Sequence, residues 1–119
     1  MQKVLIPLAV ATLALTTTAA DAWTRIQTEA QFRAQMVGRE SWVEGSGGVT
    51  PHPDGSVTGR WNGQPVRGRW VWDNGAYCRN LIIGSNEIGT NCQHLFIRGN
   101  QVRNVSDRGR GRETIAILR

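Results

Sequence analysis

From Arg39 to the C-terminus, apolar and polar positions alternate in short runs that break at turn residues. Runs of this kind, recurring about every 8 to 12 positions, mark consecutive antiparallel strands. The period of two is clearest in Val66–Trp72. Val66, Gly68, Trp70 and Trp72 fall on one face, with Arg67, Arg69 and Val71 on the other. The first set is expected to point inward, both Trp rings filling the interior. The triplet Gly-Arg-Trp occurs twice, at 59–61 and 68–70, and an Asn-Gly pair follows each copy, at Asn62-Gly63 and Asn74-Gly75. Asn and Gly tolerate the positive φ of a tight hairpin turn. The pattern predicts strands at Arg39–Glu44, Val49–His52, Val57–Trp61, Val66–Trp72, Tyr77–Ile83, Glu87–Ile97, Gln101–Ser106 and Thr114–Leu118.

So many strands in so short a chain best remove their edges by closing on themselves. The expected fold class is mainly β: a short N-terminal helix, then a 7-8 stranded antiparallel meander forming a small closed or partly open barrel. Eight-stranded barrels hold either packed side chains or one small ligand. Large Trp rings in so few residues favour the packed interior. In the last strand Ile115 and Ile117 oppose Ala116 and Leu118, so one of its two apolar faces is expected to lie under the helix.

Before Gly38 the period is helical. Thr28-Glu29-Ala30-Gln31 fits a capping box, Phe32 and Met36 share one face, and Gly38 is the residue expected just past the end. A helix over 29–37 follows, too short to be stable alone. It should dock on the sheet through Phe32 and Met36, which with Trp70 and Trp72 make the expected structural core. Further upstream, Lys3 precedes an almost wholly apolar or small run, Val4 to Ala19, and Ala20-Asp21-Ala22 fits a small-x-small cleavage site. The run falls short of the roughly 20 residues of a spanning helix, and no lipobox cysteine follows it. Residues 1–22 therefore read as a signal peptide and 23–119 as a single small β-barrel-like domain. The product is expected to be periplasmic or secreted, without stable membrane insertion.

Lys and Arg number 14 against 9 Asp and Glu, and apart from Lys3 every cation is Arg. Arg suits bidentate contacts with carboxylate or phosphate, although a GC-rich coding bias would leave the same composition. The densest charge cluster is 107–113. In an extended chain Arg108, Arg110 and Arg112 would share one face, and with Arg98 and Arg103 they form a candidate anion or partner patch. The alternative is a solvated, glycine-rich turn. The expected partner is a protein or an anionic envelope component. Nucleic acid is not expected, because the chain reads as exported and its aromatics as buried.

Cys78 and Cys92 are the only cysteines, which in an exported chain reads as one disulfide. A hairpin centred on Gly84-Ser85-Asn86 would place Cys78 opposite Cys92, Asn80 opposite Thr90 and Ile82 opposite Ile88. Closing such a loop is worth about 3 kcal/mol. Cys78, Cys92 and His94 could instead be metal ligands, but no C-x-x-C or H-x-x-x-H spacing supports them, and no metal or cofactor is expected. Catalytic residues are not expected either. His52 sits between two prolines, His94 follows Cys92, no G-x-S-x-G occurs, and Asp54, Asp73 and Asp107 fall in turns where backbone reasons explain them.

Several segments together carry a family resemblance. They are Phe32, Val37-Gly38-Arg39, Asp54-Gly55-Ser56-Val57-Thr58-Gly59, Gly68-Arg69-Trp70-Val71-Trp72, Tyr77-Cys78-Arg79, Asn91-Cys92-Gln93 and Ser106-Asp107-Arg108-Gly109-Arg110-Gly111. With the signal peptide, they resemble a family of small exported alphaproteobacterial proteins commonly labelled dihydrodipicolinate reductase. The resemblance covers essentially the whole mature chain, and the label implies a nicotinamide-dependent oxidoreductase. Such an enzyme needs a glycine-rich phosphate turn in a βαβ unit. No G-x-G-x-x-G opens a helix here, so no catalytic or cofactor residue is carried across. Gly59-Arg60-Trp61-Asn62-Gly63 with Gly68-Arg69-Trp70 is also similar to the hairpin units of MORN repeats. Periplasmic protease and lysozyme inhibitors are similar in kind, as small exported barrels with one disulfide.

The leading expectation is a non-catalytic periplasmic β-barrel module that binds an envelope component or protein partner through an arginine-rich rim. The alternatives are a periplasmic inhibitor of a hydrolase, which would present an exposed apolar loop or Trp23 at a projecting tip, and the reductase that the family label names. A small apolar ligand in the barrel mouth is a further option.

Overall fold

The computed structural model describes residues 22–119. The signal peptide expected over 1–22 lies outside the described residues except for Ala22. The described chain runs β1 (Thr24–Arg25), α1 (Glu29–Gln35), β2 (Ser41–Val43), β3 (Gly47–Pro51), β4 (Ser56–Trp61), β5 (Gln64–Asp73), β6 (Ala76–Ile83), β7 (Asn86–Arg98), β8 (Gln101–Val105) and β9 (Glu113–Leu118). Strands β2 to β9 pair in chain order, and β9 returns to β2, which closes an eight-stranded antiparallel barrel. The ninth strand, β1, was not expected. It pairs with β7 at Thr24↔Ile97 and Arg25↔Phe96, just past the Tyr77↔Gln93 pair where the β6–β7 ladder stops.

The expected alternation of β5 holds: Val66 and Trp70 are buried, while Arg67, Arg69 and Val71 are exposed. Trp72 is half-buried. Both Gly-Arg-Trp triplets have the same parity, with Gly and Trp turned in and Arg out. Their glycines are required by close approach. A Cβ at Gly59 would collide with the carbonyl of Gly48, and one at Gly68 with that of Asn80. A glycine inside a strand commonly marks such an approach. Between the triplets, Asn62 and Gly63 take φ of 48° and 78°, and the two-residue turn sets Trp61 opposite Gln64.

Cys78 faces Cys92 in the β6–β7 ladder and is bonded to it. Asn80 faces Thr90 as expected, but Ile82 pairs with Glu87 rather than Ile88. Ile88 is an extra residue in a bulge, accommodated by Gly89 at φ 78°. Two further differences are local. Gly47 and Gly48, which fall between the predicted strands Arg39–Glu44 and Val49–His52, belong to β3, where Gly47 packs against the Arg60 carbonyl. The segment after β8 is a tight turn with Asp107 and Arg108 left-handed, at φ 53° and 51°. It is therefore not extended, and Arg108, Arg110 and Arg112 do not line up along one face.

Helix α1 is capped as the sequence predicts. The Gln31 amide donates to Thr28 Oγ1 at 3.2 Å, and the Thr28 amide donates to Gln31 Oε1 at 3.2 Å. The helix does not cover the outer face of β9, where Ile115 is 46% exposed. It lies instead across one end of the barrel and turns Phe32 and Met36 inward, both buried. Phe32 meets Trp70, Trp72 and Tyr77 at centroid distances of 4.9, 5.4 and 4.8 Å. Side chains of an eight-stranded ring do not seal its open end by themselves, and two large apolar residues one helical turn apart do so here. The Trp70 indole N–H is satisfied by the His52 carbonyl at 2.8 Å, which ties the plug to the β3–β4 loop.

Candidate functional site

Opposite α1 the interior is hollow. The expectation of a packed interior holds only for the plugged end. A cavity of about 280 Å³ fills the other half. Met36, Pro51 and Tyr77 form its buried floor. Apolar wall comes from Val49, Val66, Leu81 and Ala116, and polar wall from Ser41, Gln93, Asn104 and Thr114. Val43, Trp61, Ile83, Ile88, Ser106 and Arg112 line it where exposure rises. This end carries the turns after β2, β4 and β6. There β7 also runs beyond the end of β8, since its last pair with that strand is His94↔Val105. The turn at 106–111 meets the free stretch of β7: Asn91 donates to Asp107 Oδ1 at 2.7 Å and accepts from the Asp107 amide at 3.1 Å.

The polar content of the cavity is one-sided. Among the described residues, its two charged lining residues are Arg79 and Arg112, and no Asp or Glu lines it. Along β6, Tyr77, Arg79, Leu81 and Ile83 all reach the cavity, while Cys78 takes the opposite face with its disulfide. The Tyr77 hydroxyl is buried without a hydrogen-bond partner among the described residues. Burial raises its pKa, with the Arg79 charge opposing, so at neutral pH it is a proton donor. Burial likewise lowers the pKa of the Arg79 guanidinium, against the opposing influence of Tyr77. The ion pairs among the described residues belong to Arg33, Arg103, Arg108 and Arg119. Arg79 is in none of them. The orphaned Tyr77 hydroxyl is the unusual feature, because buried polar groups nearly always find partners.

The expected arginine patch is dispersed. Arg98 donates to Gln101 Oε1 at 3.0 Å and stacks on Trp23. Arg103 lies over both Trp23 and Phe96, with its Nε 3.5 Å from a Glu113 carboxylate oxygen. Arg108 pairs with Asp73 at 2.5 Å and lies over the disulfide, 3.6 Å from Cys92 Sγ. Arg110 is exposed, and Arg112 alone of the five also lines the cavity. Trp23 is half-buried beneath these guanidinium groups and forms no projecting tip. His52 bonds Thr58 Oγ1 at 2.6 Å. Burial, then the Arg25 and Arg108 charges, lower the pKa of His94. Neither histidine lines the cavity. The disulfide occupies both cysteines, and no cluster of three His, Cys, Asp or Glu capable of holding a metal occurs among the described residues.

Sequence reasoning missed Arg79 as a site residue, although a signal was present. Once Cys78 and Cys92 face each other across a hairpin, parity places Arg79 with Tyr77 and Leu81, on the face opposite the disulfide. No protein-family model, curated protein or solved structure matches this chain.

Proposed function

We propose that this protein is a non-catalytic, exported β-barrel that works in the periplasm, or after release, by holding a small ligand in the open half of its barrel. The cavity carries this reading. An interior that serves stability alone is closely packed, as Phe32, Trp70 and Tyr77 are at the α1 end. The other end keeps about 280 Å³ open behind mostly apolar walls and a few convergent polar groups, the ordinary composition of a small-molecule site. The ligand is a component of the envelope compartment. The arginine rim has a lesser part, since Arg98, Arg103 and Arg108 are already engaged within the fold.

Titration of the mature protein with a small neutral apolar fluorophore, 1-naphthylamine, tests this reading. One saturable site per chain is expected, and Ala116→Phe, which projects a ring into the cavity, should weaken it at least tenfold with the circular dichroism unchanged. Absence of saturable binding, or full binding by a folded Ala116→Phe, contradicts the reading. The location has its own check. Cell fractionation with intact-mass measurement should find the chain outside the cytoplasm and beginning at Trp23.

A further inference from the structure

Resting on that cavity reading, we propose that the ligand is a small amphiphilic carboxylic acid, its carboxylate held by the Arg79 guanidinium and the Tyr77 hydroxyl and its hydrocarbon body lying along Val49, Val66, Leu81 and Ala116. Tyr77 and Arg79 are two residues apart on one strand and point to the same side, so both can address one headgroup. The Tyr77 hydroxyl is buried and unpartnered, with the residue only 5% exposed. Arg79 makes no ion pair with any described residue. Both groups are donors. A carboxylate supplies only acceptors, two oxygens with about four lone-pair sites. It can take two parallel N–H bonds from the guanidinium and keep an acceptor for the phenol.

The sign of the ligand's charge follows from what is missing around the cavity. With no acidic lining residue, the walls offer nothing to a cation. A bound anion supplies the counter-charge that the fold withholds from Arg79. Arg112, the other lining cation, is exposed at the cavity rim, so beside Tyr77 one guanidinium and one neutral hydroxyl balance a single negative charge, which favours a carboxylate over a doubly charged phosphate. Size narrows the choice further. At about 30 Å³ for each water-sized unit, the cavity of about 280 Å³ accommodates a ligand of on the order of ten non-hydrogen atoms. Octanoate has that size and composition, and octan-1-ol is its uncharged counterpart.

Displacement of the neutral fluorophore from the mature, disulfide-intact protein by these two compounds separates the outcomes. Wild type should bind octanoate at least tenfold more tightly than octan-1-ol. Arg79→Met should abolish that preference, weakening octanoate tenfold or more and octan-1-ol less than threefold. Tyr77→Phe, which keeps the ring against Phe32, should weaken octanoate by a few-fold and leave octan-1-ol unchanged. Equal binding of the two compounds by wild type overturns the carboxylate assignment while leaving the cavity reading in place. Failure of fluorophore, octanoate and octan-1-ol alike overturns both. If Arg79→Met does not fold, the wild-type ratio and Tyr77→Phe still decide. A wild-type preference for octanoate that survives in a folded Arg79→Met assigns the charge contact to Arg112 or the outer surface and overturns the proposal.

Discussion

The two Gly-Arg-Trp triplets have the same sequence and the same inside-outside parity, yet they end in opposite environments. Strands β4 and β5 are antiparallel, so the first triplet runs toward the hollow end and the second toward the plugged end. Trp70 is buried among Phe32 and Tyr77, with its N–H satisfied by a carbonyl. Trp61 is half-buried at the cavity rim beside a two-residue turn. Parity assigns a side chain to the interior, but position along the strand decides whether that interior is a core or a site. What separates the two ends is α1, which plugs one of them with Phe32 and Met36 and so sets the floor of the other.

The largest expected effect breaks the packed member of the pair. Trp70→Ala should cost about 3–5 kcal/mol in urea unfolding, the usual range for deleting a buried aromatic. Trp61→Ala should cost only about 1 kcal/mol, as expected for a partly exposed position, while weakening fluorophore binding. Equal costs would contradict the division into two halves. Next is the disulfide, which ties β6 to β7 behind Arg79. Cys78→Ala with Cys92→Ala should lower stability by about 3 kcal/mol on the loop-closure account. Arg79→Met should act in the opposite direction. Replacing a half-buried cation that has no ion pair among the described residues by an apolar side chain should stabilise the unliganded protein by about 1 kcal/mol, in parallel with the loss of octanoate. A destabilised Arg79→Met would mean that the guanidinium supports the fold. The smallest effect concerns the plug: Thr28→Ala removes the helix cap and should cost about 0.5–1 kcal/mol.

The barrel was legible in the sequence because its information is local. Alternation in Val66–Trp72, the Asn62-Gly63 turn and the 78–92 spacing each fix a register without reference to the rest of the molecule. The docking of α1 was only half legible. Phe32 and Met36 announce an apolar face, but which surface receives it depends on the shape of the closed ring. Ile88 was misplaced because a bulge inserts one residue, and Gly89 within a strand run was the available clue. The hollow half was not legible at any single position, since a void is the difference between the ring's capacity and the summed volumes of many side chains. Arg79 fell between these cases, with its parity readable and its lack of partners not. The run 107–112 looked like a patch because extended geometry was assumed. Left-handed Asp107 and Arg108 instead fold Arg108 back onto Asp73.

The most direct test of the account is where octanoate sits. In the complex, nuclear Overhauser contacts from its methylene protons should reach the methyl groups of Val66, Leu81 and Ala116, and its carboxyl end should perturb Arg79 Nε–H and the Tyr77 ring. Contacts confined to outward-facing residues such as Val71 or Ile115, with the inner methyl groups silent, would contradict the claim that the open half of this barrel is a binding site.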